Sequence, residues 1–426
     1  MASHSAEVPR YIPFKTLRVS GVELGGLLLL GLLGLGAALL LGDHHHARLW
    51  HAVHFNWLFW SSVAVGMVVF GLVLHMTNSR WSWSVRRFAM AGSAFLPVSF
   101  VLYFVMWLGY EHYFEHWLHA DPHDAVIAAK RAWLSVPGMF VRDTLAITVL
   151  YGLALWFAYH ALRPDLYGAR DSGLYRWMTR GWRGDAAVEA ARSRRIMNPI
   201  APITAILFAL LWGLIAIDQA MTMLPHWFST MFPVTFLVST FHSALAMTAI
   251  VAVVVRKREG LEPYVTERQF HDLGKLIFAY AVFWMYVNWS QYVVIWYGLL
   301  PHEQEYFVQR FSAPFGAVTE LMVGCVFVIP FFFLLSKPPK KVPAFLAFVS
   351  AIIVVGHWLE RFLITIPSVW PAEEAHHLPL GVTEVGIALA FGSLFFLACA
   401  LFLKTFPILP SPAALAAVPQ PFVTVP

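Results

Sequence analysis

The sequence predicts an all-α polytopic membrane protein of about ten transmembrane helices, and three observations lead there. Apolar runs of about 20 residues, the length that crosses roughly 30 Å of hydrocarbon, recur along the whole chain and leave no stretch for a soluble domain. Charged residues make up only 12% of the 426, against roughly 25% in a soluble domain, and the mean hydropathy is +0.65. Basic residues collect in alternate connections, as a threaded membrane chain requires.

The first run, near 19–42, follows Arg10, Lys15 and Arg18. It is longer than a signal-peptide core and lacks an A-x-A cleavage site, so it reads as a retained helix. The second, near 51–76, opens with "HFNWLFWS", and the third, near 87–110, follows the basic pair Arg86 and Arg87. The fourth, near 139–162, starts at Arg142 and Asp143; the fifth, near 200–224, follows a basic loop and approaches its end at Asp218 and Gln219. The sixth, near 227–255, carries "FPVTFLVSTFHSALA" and stops at Arg256, Lys257 and Arg258. The seventh, near 272–299, is the most polar, and the eighth lies near 313–336. "KPPKK" separates it from the ninth, near 342–366; the tenth, near 380–404, closes at Lys404. The tail 406–426 is too rich in proline to continue a helix and is expected to be extended.

With the N-terminus taken as cytoplasmic, 21 Lys and Arg fall on that side and 4 (Arg48, Lys130, Arg131 and Arg310) on the other. Both termini are therefore expected to be cytoplasmic, in a bacterial inner membrane. This loop bias accounts for the net charge of +5 without a nucleic-acid partner. The loop 164–199, rich in Arg and Trp, suits lipid headgroups, with a subunit contact as the alternative. In the opposite loop His112 and His116 stand four apart, followed by His119 and His123, but no ligand set is defined and no metal is expected. Cys325 and Cys399 lie in separate helices with no C-x-x-C, so the chain cannot itself supply four thiolates or a c-type haem attachment.

The candidate functional residues are the polar groups inside the spans, where a central charge costs roughly 2.5 to 3.5 kcal/mol on insertion scales. His54 and Asn56, Asp143, and Asp218 gather at the outer ends of helices two, four and five. Asn288 and Gln291, Glu320, His357 with Glu360 and Arg361, and Glu384 mark the outer halves of the last four. His357, Glu360 and Arg361, at i, i+3 and i+4, share one helix face. The inner half offers Asp272 and Lys275, with His242 near mid-membrane. Lys275 and Asn288 are 13 residues apart, about 20 Å of helix, so they form two stations. Each charge also has a plain structural reading as a local ion pair or, for Lys275, an interfacial anchor.

"HDLGKLIFAYAVFWMYVNWSQYVVIWYGLLPHEQEYF", with "HFNWLFWSSVAVGMVVFGLVLH" and "FPVTFLVSTFHSALA", resembles the membrane subunits of alternative complex III, in particular the ActF-like (NrfD- or polysulfide-reductase-like) subunit. The resemblance covers essentially all ten helices and is most specific in the seventh. It implies two four-helix bundles, helices 2–5 (about 51–224) and 6–9 (about 227–366), flanked by helices 1 and 10 in one membrane domain. It also implies a quinol:electron-acceptor oxidoreductase whose haem and iron–sulfur clusters sit in partners: an NrfD-like paralogue, an iron–sulfur subunit and c-type haem subunits.

On this expectation the chain is a quinol-binding or proton-translocating respiratory subunit holding no redox cofactor of its own. His54, Asn56, Asp143 and Asp218 would meet quinol. His242, Asp272, Lys275, Asn288, Gln291, Glu320, His357, Glu360, Arg361 and Glu384 would line a proton path. The alternatives are a proton- or cation-coupled transporter and a purely structural scaffold among other membrane subunits.

Overall fold

Hydrocarbon offers no hydrogen-bond partner to a backbone N–H or C=O, so each apolar run pairs its backbone internally as helix. The computed structural model describes residues 7–9, 11–43, 47–166, 169, 172–182, 184–371, 377–416 and 423–425. Ten long helices run through them: α1 (Gly21–Leu40), α2 (Arg48–Met76), α3 (Arg86–Trp107), α4 (Val136–Leu162) and α5 (Ala186–Met223), then α6 (Phe232–Glu259), α7 (Glu267–Gly298), α8 (Gly316–Leu334), α9 (Pro343–Thr365) and α10 (Val382–Thr405). Among the described residues nine of these are apolar and long enough to cross a membrane. The tenth, α7, has the length with 32 residues, but Asn288, Ser290, Gln291 and its Trp and Tyr residues dilute its hydropathy. The chain is a polytopic all-α membrane protein.

Packing divides the helices into two bundles. In the first, α2 contacts α3, α4 and α5, and α4 contacts both α3 and α5. In the second, α6 packs on α7 and α9, while α8 closes the ring between α7 and α9. The bundles meet where α2 crosses α6 and α9, which explains why α2 is apolar all round and almost wholly buried. At this crossing a Cβ on Gly66 would lie 2.8 Å from both Thr240 O and Ala244 Cβ. α10 lies on α1, α2 and α3.

Two segments differ from the sequence expectation. α5 starts at Ala186, well before residue 200, because Asp185 Oδ1 caps Val188 N at 2.9 Å and an alanine-rich stretch propagates the helix. Its first turns therefore occupy part of the expected loop, where buried Glu189 pairs with Arg163 and Arg192, both at 3.3 Å. In the tail, Pro412–Ala416 forms a short helix, and Val423–Val425 pairs in parallel with Glu7–Pro9. Ile408 N donates to Lys15 O at 2.8 Å, so the tail lies on the chain's own N-terminal segment.

The contact between α1 and α10 depends on two glycines. A Cβ on Gly34 would stand 2.6 Å from Gly386 O, and one on Gly386 would stand 2.5 Å from Gly34 O. Small residues allow this backbone approach, which is where van der Waals attraction between membrane helices arises. Gly386→Val should therefore lower the thermal unfolding midpoint in mild detergent, by an overpacking cost of about 1 to 3 kcal/mol. Gly36→Val should leave it unchanged, since a Cβ there meets nothing within 4 Å.

Candidate functional site

Each bundle holds a cluster of buried polar side chains that includes residues singled out in the sequence. In the first, His54 of α2 is fully buried and its Nε2 lies 3.2 Å from Gln219 Oε1 of α5. The amide nitrogen of Gln219 donates to Asp143 Oδ2 of α4 at 2.7 Å. An amide oxygen only accepts, so His54 Nε2 carries the proton and Nδ1 is left as a bare acceptor. Among the described residues neither His54 Nδ1 nor Asp143 Oδ1 has a hydrogen-bond partner. The His54 ring stacks on Tyr113, with centroids 4.3 Å apart. Beside this chain Asp218 accepts from Arg142 Nε at 2.6 Å and Trp133 Nε1 at 2.8 Å. Arg142 also lies over the Trp133 ring at 4.0 Å and lines a groove between α4 and α5. Asn56 instead reaches across to the second bundle, accepting from Trp358 Nε1 at 2.9 Å.

The second cluster is a hydrogen-bonded chain across three helices. His242 Nδ1 of α6 lies 3.0 Å from His357 Nε2 of α9, and His357 Nδ1 lies 2.8 Å from Glu360 Oε2. Glu360 Oε1 accepts from Trp284 Nε1 of α7 at 2.8 Å, and Arg361 Nη1 approaches Oε2 at 3.4 Å. Arg361 Nη2 donates to Thr240 Oγ1 at 3.1 Å and Phe236 O at 3.3 Å, with its guanidinium 3.8 Å above the Phe236 ring. All four ionisable residues are buried.

Proton logic fixes the resting tautomers of this chain. An ionised carboxylate only accepts, so His357 Nδ1 carries hydrogen; a neutral His357 then presents Nε2 as an acceptor to His242 Nδ1–H. A proton arriving at His242 Nε2 can thus be relayed through both imidazoles to Glu360 by a shift of each bond in turn, which leaves both rings in the opposite tautomer, and from that tautomer the same bonds carry a proton from Glu360 back through His357 to His242.

Glu360 and Arg361 also face a cavity of about 380 Å³ between α6, α7, α8 and α9, within the usual size range for small-molecule sites. Its walls are aromatic, including Trp284, Trp289 and Tyr292. The helix Pro301–Phe311 contributes Tyr306 and Arg310 to the wall. Tyr306 stacks on Trp227 at 3.9 Å, and Arg310 sits 3.5 Å over Tyr306 while donating to Ser368 Oγ at 2.7 Å. Among the described residues three N–H donors of the lining have no hydrogen-bond partner: Gln291 Nε2, Arg310 Nε and Arg361 Nε.

Of the ten residues expected to line a proton path, His242, Asn288, Gln291, His357, Glu360 and Arg361 gather in the relay and the cavity wall. The other four lie elsewhere. Lys275 Nζ pairs with Asp272 Oδ1 at 2.6 Å and is half-exposed, nine residues or about 13 Å of helix from Trp284. Glu320 is exposed on α8, while its neighbour Thr319 lines the cavity. Glu384 is held by Arg48 at 2.8 to 3.1 Å and caps α10 through Gly381 N at 2.7 Å. In the loop between α3 and α4, His112, His116, His119 and His123 are exposed.

Sequence reasoning missed Trp284, Arg310 and the bridging role of Gln219. Trp284 stands one helical turn before Asn288, on the same face, and that spacing was the available signal. Arg310 reads in sequence only as a loop charge. No protein-family model matches the chain, and no curated protein matches it.

Glu360 and Arg361 compensate one another in a buried setting, where removing one partner typically costs about 3 to 5 kcal/mol. Glu360→Leu should therefore lower thermal stability in detergent sharply, and adding Arg361→Leu should restore part of the loss. Equal or additive losses in the double variant would show that the pair is not coupled.

Proposed function

We propose that this chain is an integral membrane subunit of a respiratory quinol:electron-acceptor oxidoreductase of the alternative complex III kind, handling quinol and its protons while partners carry the electrons. The observation that carries the reading is the relay His242–His357–Glu360 opening on an aromatic cavity within the helix bundle.

Quinol oxidation releases two electrons and two protons, so its site needs an acceptor in hydrogen-bond reach of a ring hydroxyl and a route for the proton. Glu360 supplies the acceptor and His357 the next step. The unpartnered N–H groups of Gln291 and Arg361 suit the carbonyl oxygens of the oxidised ring. Trp284, Trp289 and Tyr292 supply flat apolar walls for the ring itself. His54, Gln219, Asp143 and Asp218 form a second station of the same chemistry, next to the α4–α5 groove that Arg142 lines. The two cysteines, both buried, cannot furnish the four thiolates of an iron–sulfur cluster, so the electrons pass to a partner. The bias of basic residues supports cytoplasmic termini in a bacterial inner membrane.

The test is quinol:acceptor turnover of the complex purified through this chain. Glu360→Gln keeps the shape but removes the proton acceptor and should cut turnover by about 100-fold or more. Gln291→Leu should chiefly raise KM. Asp143→Asn probes the other station: a loss there with wild-type rates in Glu360→Gln would move the quinol head to the first bundle. Wild-type rates in all three would leave this chain a scaffold.

A further inference from the structure

At the membrane face where Ile408 meets Lys15, the first bundle encloses a second cavity, of about 100 Å³. That is roughly three times one water's share of the liquid, about 30 Å³, and well below the roughly 300 Å³ at which sites for drug-sized molecules begin. Its scale suits one small polyatomic ion or headgroup centre.

Its lining is strongly basic. Arg86 and Arg87 of α3, Arg194 of α5, His75 of α2 and His160 of α4 surround it, and Asp165 is the carboxylate on its wall. Arg87 takes that carboxylate, donating to Asp165 Oδ2, while Asp165 Oδ1 accepts from Ser411 N at 2.8 Å. Among the described residues Arg86 and Arg194 have no carboxylate partner. Arg86 donates from Nε to Ser82 Oγ at 3.1 Å and from Nη2 to Leu74 O at 3.1 Å and Ser79 O at 2.5 Å, which positions the guanidinium without neutralising it. Arg194 is held by Asn78 in the same manner. His75 Nε2 meets Asn198 Oδ1 at 3.1 Å. His160 is only 8% exposed, and among the described residues its Nδ1 has no hydrogen-bond partner.

Two buried or half-buried guanidiniums without a carboxylate, together with an unpartnered imidazole nitrogen, call for an anion with several acceptor oxygens. The donors come from three helices and so reach the cavity from different sides, which suits an oxyanion with acceptor oxygens on several sides better than a flat carboxylate. We propose that this cavity binds a phosphoryl group. Its source is either the headgroup of an anionic phospholipid at the membrane face or a free phosphate. Pro410, Ala414 and Leu415 of the tail form an apolar side of the same cavity, so the ligand would fasten the tail to α3, α4 and α5. This inference does not depend on the quinol reading.

The experiment follows the thermal unfolding of the full-length protein in a neutral detergent, titrated separately with inorganic phosphate and with phosphatidylglycerol. A saturable rise in the midpoint with phosphate identifies a free phosphoryl ligand, and one confined to phosphatidylglycerol identifies a lipid headgroup. Arg194→Gln should weaken the effective ligand by about tenfold or more, the loss expected for one charge-assisted hydrogen bond. His160→Phe, which fills the cavity and removes the free nitrogen, should abolish the response even if the other variant folds poorly. No saturable shift with either probe, or wild-type affinity in both variants, would overturn the proposal.

Discussion

The second bundle depends on the placement of one carboxylate. Glu360 is buried among α6, α7 and α9, and an isolated carboxylate in that setting would cost several kcal/mol. It is tolerated because a tryptophan, a histidine and an arginine converge on its two oxygens. Those donors stand on two helices, and the histidine is tied in turn to a third through His242. The need to satisfy Glu360 thus sets the rotation of α7 and α9 about their axes. The walls of the cavity follow from that rotation.

The first bundle meets the same constraint with a different chemistry. There an amide, Gln219, stands between imidazole and carboxylate, and Asp218 is closed by Arg142 and Trp133. An amide bridge fixes its donor and acceptor ends and so orients His54, whereas two facing imidazoles can exchange donor and acceptor roles. The two stations are alike in having ionisable groups on several helices. They differ in how readily a proton can pass along them.

Much of this was legible in the sequence. The apolar runs located every long helix, and the i, i+3, i+4 spacing of His357, Glu360 and Arg361 placed them on one face, where their side chains meet. What sequence could not show was pairing between helices. Glu384 read as one more intramembrane acid, yet Arg48, 336 positions away in the chain, holds it. Asp272 and Lys275 read either as a proton station or as an ion pair, and their side chains lie 2.6 Å apart. Asn56 sat among the quinol candidates by depth, but its oxygen joins the two bundles through Trp358. Depth along a helix is written in one dimension; the partner comes from rotation and tertiary contact.

In the proposed function protons leave or reach the cavity through the imidazole pair. The most direct measurement is the number of protons moved per electron by the intact complex in sealed vesicles, compared between wild type and His242→Phe. This change leaves Glu360 and the cavity wall in place and removes only the end of the relay. Quinol oxidation should continue with fewer protons moved per electron. An unchanged ratio in a fully assembled complex would contradict it.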